Sequence, residues 1–596
     1  MSDPNSNEPA DMSVNSQIEE HRQIILDGEA KGGAGKFLAY ARLSGPGWLQ
    51  SAITLGGGSL ANALYLGVLG GVAFMWLQPM AMMFGIVMMS AIAYITLSTG
   101  KRPLRSINQH ISPILGWGWL AASMMANIVW SLPQFALAVA ALRQNLLPGV
   151  LGAESGLSEF SGMLIAAVIV LALVITNVMI YISGGKGTKV FEIIMKLMVG
   201  TIVICFFGVV VQLSVAGQID WGAIGAGMIP SFESLFTPAP TFAPFLEQLD
   251  EGGRQFWSDL IVGQQRDVMI GAAATAVGIN MTFLLPYSML RKGWNRDFRG
   301  LAIFDLSTGL FIPFMLATGC VVISAASQFH AKAAPGLMST TDPNGAIVEP
   351  PKNLVGPYNG LLAERVKADM DAEALAALAA LPEDQQKDRI AEKAALLPVG
   401  EQQMAAMLVK RDAFNLAQTL EPLVGKKVAN YVFGFGVLGM ALNAATMLML
   451  INGLCFCELR NRAPKGWTQR FGSLMVCVGV LGPFFWKGDA QMWLAVPTSV
   501  FAMVLLPIAY VVFALMMNNK TILGQDMPAG RRRIVWNVLM IGSCTFAGIG
   551  SMWALWSNFE KWTGHGWYGL VLFAIFIVIV LTTRKKVTPD PAPVVN

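Results

Sequence analysis

Charge is what this chain lacks. Only 13% of its 596 residues are Asp, Glu, Lys or Arg, while 54% are hydrophobic; a soluble globular chain carries about 25% charged residues. With a mean hydropathy of +0.54, lipid must be the solvent for much of the surface, and a soluble enzyme is excluded. Histidine is scarce too: His21, His110, His330 and His565 are the whole complement, and all fall outside the apolar runs. The six cysteines (Cys205, Cys320, Cys455, Cys457, Cys477, Cys544) sit in apolar stretches without Cys-x-x-Cys spacing. That argues against both a disulfide framework and a thiolate metal cluster. Residues 1–36 are polar, with no basic stretch leading into a short apolar core, so no signal peptide is predicted. No nucleophile–base pair is identifiable within the apolar runs, which argues against any enzyme.

Long apolar runs are abundant. A membrane-crossing helix needs roughly 20 apolar residues. Runs near 46–70, 71–98, 114–142, 162–183, 190–214, 268–290, 300–327, 429–456, 471–486, 490–517, 534–556 and 566–583 predict an all-α integral membrane protein of about twelve spans. Every second connection is basic: Lys101, Arg102 and Arg105; Lys186 and Lys189; Arg291, Lys292, Arg296 and Arg299; Arg460, Arg462, Lys465 and Arg470; Lys520 and Arg531 to Arg533; Arg584 to Lys586. The other connections carry Glu154, Glu159, Asp220, Glu247, Asp250 and Glu251, with Trp486, Trp556, Trp562 and Trp567 as an interfacial belt. By the positive-inside rule both termini are cytoplasmic, in a multi-pass protein of the cell (inner) membrane.

This gives a cytoplasmic tail over 1–36, spans one to seven over 40–328, an extracytoplasmic polar insertion over 330–427, spans eight to twelve over 429–585, and a tail over 586–596. The second half of the insertion is rich in Ala, Leu, Glu, Lys and Gln and predicts helices broken at Pro382 and Pro398. A second long outer connection, 217–266, has only weak helical patterning.

Glycine points to the chemistry. The first span, GPGWLQSAITLGGGSLANALYLG, carries Gly56, Gly57, Gly58 and Ser59 at its centre. Consecutive glycines there cost about 1 kcal/mol each relative to Ala, and unpaired backbone is tolerated at membrane depth only beside a cavity. A broken helix is predicted, one half ending near Leu55 and the other starting at Ser59, with its amides facing a midplane substrate site. A glycine face for helix packing is the alternative. The sixth span, GAAATAVGINMTFLLPYSML, offers a second break, with Gly278, Asn280, Met281 and Thr282 mid-span. Asn280, and Asn443 and Thr446 of the eighth span, are either site residues or helix-bridging hydrogen bonders. Glu192 and Lys196 are four apart and predict a structural pair; Asp305 is expected to pair with the basic connection beside it.

The chain resembles the NRAMP family of divalent-metal transporters. The first span is similar to the family's first helix, GPG followed by Asp-Pro-Gly-Asn. STGKRPLRS is similar to its TGKDL-type loop, KVFEIIMKLMVG to its KLE-containing fifth helix, and DWGAIGAGMIPS to its DWG segment. GINMTFLLPYS stands where the family has Met-Pro-His, FDLSTG…SQFH resembles its seventh helix, and the likeness runs on through NNKTILG. It covers about 40–585 apart from 330–427. The resemblance implies a LeuT-like fold with inverted repeats and broken helices one and six, and a substrate site around Gly56, Gly57, Gly58, Ser59, Asn280, Met281, Thr282 and Asn443. It also implies departures. The family's metal-binding Asp and Asn become Gly56 and Ser59, its Met becomes Asn280, and its His becomes Thr282. The third span, with WSLPQFALA, has no acid for a proton relay. No metal ligand can therefore be named. The expectation is a secondary transporter of a divalent cation, hydrated Mg²⁺ rather than Mn²⁺ or Fe²⁺. A small neutral or carboxylate-bearing solute held by helix amides, or a non-transporting receptor on the same fold, are the alternatives. The expected partners are the lipid bilayer and this small substrate, with no cofactor and no nucleic acid.

Overall fold

The computed structural model describes residues 8–152, 155–183, 186–338, 348–411, 415–417, 421, 425–485 and 491–583. Glu154, Trp486, the side chain of Glu192 and the tail beyond Thr583 lie outside the described residues. Regular structure among those described is helical throughout, without strands.

Among the described residues, ten helices are long and apolar enough to cross a membrane, and the twelfth predicted span is a shorter apolar helix, Trp567–Thr583. The predicted span at 471–486 is not one helix. A short helix Gly466–Leu474 tightens into 3₁₀ winding over Met475–Leu481 before Gly482–Phe485. Its glycines let this winding nest against the third span, Pro113–Ala140: a Cβ on Gly482 would collide with the Leu132 backbone.

The reading of 217–266 as loop is corrected in its second half. Asp250 caps a helix running Glu251–Ala276, its carboxylate accepting from the Gly253 N–H at 2.7 Å. Polar residues hid this extension because they serve the outer loop. Gln265 donates to the Ser234 and Thr237 carbonyls at 2.8 and 3.0 Å and accepts from the Ala239 N–H at 2.9 Å. The 330–427 segment forms helices Lys352–Ala368, Ala372–Ala379, Glu383–Ala395 and Val399–Leu408, with Pro382 and Pro398 as the N-caps of the last two. Buried Arg365 pairs there with buried Glu401, which also accepts from the Trp257 indole at 3.0 Å, fastening the segment to the sixth span. The N-terminal tail is helical over Glu8–Ala30 and Gly32–Leu43.

Burial sorts the spans. The sixth, Glu251–Arg291, is 94% buried across its most apolar window, whereas the fourth, Glu159–Ile182, and the fifth, Lys189–Val215, are 28% and 29% buried. The first, third, sixth, seventh and eighth spans are the most buried and form the centre, and the fourth and fifth, with the eleventh (Gly530–Thr563), form the lipid-facing rim. The basic connections gather at one end, joined by Arg102–Glu458 at 2.6 Å, Arg105 to Asn461 at 2.6 Å and Arg299–Asp526 at 3.1 Å.

Candidate functional site

Two helices break at the centre, and their broken ends meet. The first span is a half-helix Pro46–Thr54 followed, after Leu55 and Gly56, by a second half Gly57–Gly70. The restart is therefore at Gly57 rather than Ser59: Gly57 and Gly58 belong to the first turn of the second half. The reason is a side chain far away in sequence. Gln134 Oε1 of the third span accepts from the Gly57 N–H at 2.8 Å and satisfies an amide that the helix start leaves open. The sixth span breaks at Val277 and Gly278, both extended, and resumes at Ile279. Thr54 shares its hydroxyl proton between the Thr275 and Ala276 carbonyls at 2.9 and 2.6 Å, tying the end of one half-helix to the end of the other. The Ser59 hydroxyl donates back to the Thr54 carbonyl.

A cavity of about 30 Å³ lies between the breaks, lined by Thr54, Gly56, Gly58, Ser59, Trp130, Gln134, Thr275, Gly278, Met281 and apolar neighbours including Ala444. Of the predicted residues, Gly56, Gly58, Ser59 and Met281 line it, and Gly57 adjoins it through Gln134. Asn280 and Thr282 are directed elsewhere. Asn280 donates to Asn127 Oδ1 at 3.0 Å, and the Thr282 hydroxyl accepts from the Trp119 indole at 2.9 Å. Asn443 is fully buried with neither amide atom paired, and its neighbour Ala444 reaches the cavity in its place, 2.7 Å from where a Gly56 Cβ would sit. Met281, the residue after Asn280, faces the cavity instead, its sulfur accepting from the Gly278 N–H at 3.3 Å. Thr54, Trp130, Gln134 and Thr275 escaped the sequence reading. Gln134, polar in the middle of WSLPQFALA, was the available signal.

No carboxylate or imidazole lines this cavity, and among the described residues no group of three or more His, Cys, Asp or Glu is placed to hold a metal ion. Asp305, 1% exposed, lies at the far end of the first half-helix. Its oxygens accept from the Gly45 N–H at 3.0 Å, the Gly47 N–H at 2.6 Å and the Ser44 hydroxyl. A carboxylate at a helix N-terminus is held by the dipole and the open amides together. These amides are its hydrogen-bond partners, and the charge of Lys292, from the basic connection expected to pair with it, also acts on it. Gly47 is required there, because a Cβ would meet the Asp305 backbone. At the opposite end, the Tyr65 hydroxyl donates to the Arg411 carbonyl at 2.7 Å, and Tyr65 packs edge-on against Trp493 with centroids 4.7 Å apart. The Arg411 guanidinium donates to the Met407, Ala406 and Lys332 carbonyls, and burial pushes it down to about 10.

The family described as natural resistance-associated macrophage protein-like matches residues 47–348 and 393–556, which leaves 349–392 between the two stretches. The fold is that of a solved manganese transporter of Eremococcus coleocola in complex with an aromatic bis-isothiourea substituted compound. The likeness has a TM-score of 0.53 at 15% identity and covers 92% of this chain and 93% of that one. Two mutants of that transporter align over the same shares at 16% identity, with a TM-score of 0.49. No curated protein matches the sequence. The all-helical chain with its two broken spans has the LeuT-like architecture.

Proposed function

Because the chain belongs to the natural resistance-associated macrophage protein-like family, we propose that it is a multi-pass secondary transporter of a divalent metal cation. The cation is carried with part of its hydration shell, Mg²⁺ in preference to Mn²⁺ or Fe²⁺. One observation carries the preference: the cavity between the breaks offers neutral donors only. A dehydrated transition ion needs charged or imidazole ligands to offset its lost hydration. Mg²⁺ gives up water reluctantly and is commonly held through it. Gln134, the Thr54 and Ser59 hydroxyls and the carbonyl ends of the two half-helices suit ion-bound water, and those ends carry the negative pole of the helix dipole. A cavity of about 30 Å³ holds roughly two waters, so the ion enters when a half-helix moves aside. The alternating basic connections support a cell-membrane protein with both termini cytoplasmic.

The Met281 thioether favours a second reading, a softer ion such as Mn²⁺. A carboxylate-bearing solute is less well served, since Gln134 already occupies the Gly57 N–H. Proteoliposomes loaded with ion-sensitive dyes separate these readings. Saturable Mg²⁺ influx with Mn²⁺ and Cd²⁺ entry near background is expected. Saturable Mn²⁺ uptake that is lost in Met281→Ala would overturn the Mg²⁺ preference, and uptake of a labelled amino acid without any divalent ion would overturn the metal reading.

A further inference from the structure

Just before the first half-helix the chain forms a short helix, Gly32–Leu43, in which Ala39 and Leu43 are buried. Glycines let the preceding helix lie close along that side: a Cβ on Gly28 would meet Ala39, and one on Gly35 would meet the Gly28 carbonyl. The helix also packs on the start of the seventh span, where the Phe304 ring meets Phe37 and Tyr40 edge-on at centroid distances of 5.3 and 5.4 Å. At about 100° per residue, Ala34, Phe37, Leu38 and Ala41 share the side opposite Ala39 and Leu43, and all four are exposed. Phe37 is 55% and Leu38 67% exposed. Lys31 and Arg42, also exposed, stand at the edge of this apolar side.

The seventh span sets the depth of this helix. Arg296–Phe329 has 34 residues and rises about 51 Å, against ~30 Å of hydrocarbon, so roughly 10 Å extends beyond the core at each end. Phe304, about 12 Å along from Arg296, therefore stands where headgroups give way to acyl chains. Further along the same span Ile312 and Leu316 are exposed, so the apolar side of the short helix continues a surface that meets lipid. A helix at this depth with an apolar side bordered by cations has the features of one that lies in the membrane plane. The cations match the negative charge of an anionic leaflet.

We propose that Gly32–Leu43 is an in-plane membrane anchor, with Phe37 and Leu38 set among acyl chains and Lys31 and Arg42 among anionic headgroups. Its last residue precedes Ser44, whose hydroxyl donates to Asp305, so the contact with the leaflet reaches the base of the first half-helix. The anchor stands apart from the central cavity and does not depend on which ion the protein carries.

Photocrosslinking of the full chain in liposomes tests this without any transport assay. The liposomes hold equal phosphatidylglycerol and phosphatidylcholine of identical chains, and adducts are identified by mass. Leu38→p-benzoylphenylalanine should form lipid adducts. Lys36→p-benzoylphenylalanine, about 200° away on the same helix, should form few. Ala41→p-benzoylphenylalanine is a second position on the apolar side, should the Leu38 variant fail to fold. Among the adducts phosphatidylglycerol should exceed phosphatidylcholine about fivefold, the worth of one cation at an anionic surface. Lys31→Gln with Arg42→Gln should bring that ratio to parity. Equal lipid labelling from positions 38 and 36, adducts at positions 38 and 41 formed mainly with protein, parity of the two lipids in the wild-type background, or enrichment that survives the double variant would each overturn the proposal.

Discussion

His330 sits where the loop after the seventh span folds against the end of the first, its Nδ1 2.9 Å from the Val68 carbonyl and its Nε2 2.6 Å from the Thr241 hydroxyl. A carbonyl only accepts, so Nδ1 carries the proton and Nε2 accepts from Thr241: the neutral tautomer satisfies both contacts. Burial lowers the His330 pKa below its ordinary value. The unfolded chain therefore binds this proton more readily than the folded one. The stability contributed by the neutral ring is complete above the unfolded value of about 6.5 and is lost as pH falls below it. Thermal unfolding in detergent should show a falling melting temperature from pH ~7 to ~5, and His330→Gln should flatten that slope. An unchanged slope would place the acid sensitivity elsewhere. At this scale the sequence is least legible. Asn280 and Met281 are neighbours on one half-helix, and a rotation of about 100° per residue decides which faces the cavity. Composition does not encode that rotation; packing against Asn127 and Trp130 does.

Elements were easier to read than their ends. Three consecutive glycines announced a break in the first span, because a continuous helix there would be costly and a cavity would not. Where the helix resumes depended on Gln134, 77 residues away, a contact that no local pattern contains. The 251–266 stretch failed for a related reason, its polar residues being committed to an outer loop that is also far away in sequence. The two broken spans are fastened by one hydroxyl, that of Thr54 on the Thr275 and Ala276 carbonyls. Thr54→Val keeps the shape and removes the donor, leaving two buried carbonyls without it, at a cost of about 1–3 kcal/mol. The valine variant should melt lower than wild type and transport less, while Thr54→Ser should restore both. Equal melting of the valine and serine variants would show that the hydroxyl fastens nothing.

Across the whole molecule, the two half-helices of the first span are held by different chemistry, Asp305 under the first and Tyr65 with Arg411 at the second. This arrangement bears on energy coupling. Proton-driven transport requires a group on the path that changes its protonation state as the substrate moves. The cavity walls hold none. Among the described residues, Asp305 is the buried acid within a candidate span, and it lies about 12 Å from Thr54 along the half-helix. Its oxygens are committed to the Gly45 and Gly47 amides and the Ser44 hydroxyl, bonds that require the carboxylate to accept and that protonation would weaken. Asp305 is thus placed to hold the half-helix in position, and it offers the substrate no oxygen. Transport should follow the gradient of the substrate and, for a cation, the membrane potential, without stoichiometric proton movement. Proteoliposomes carrying an internal pH dye and a potassium diffusion potential measure both quantities at once. Influx should scale with the imposed potential while the internal pH stays level. Asp305→Asn keeps the shape but weakens the anion–dipole contact, and it should slow uptake without altering that level trace. Substrate-dependent acidification that disappears in Asp305→Asn or Glu192→Gln would defeat the prediction and identify the relay.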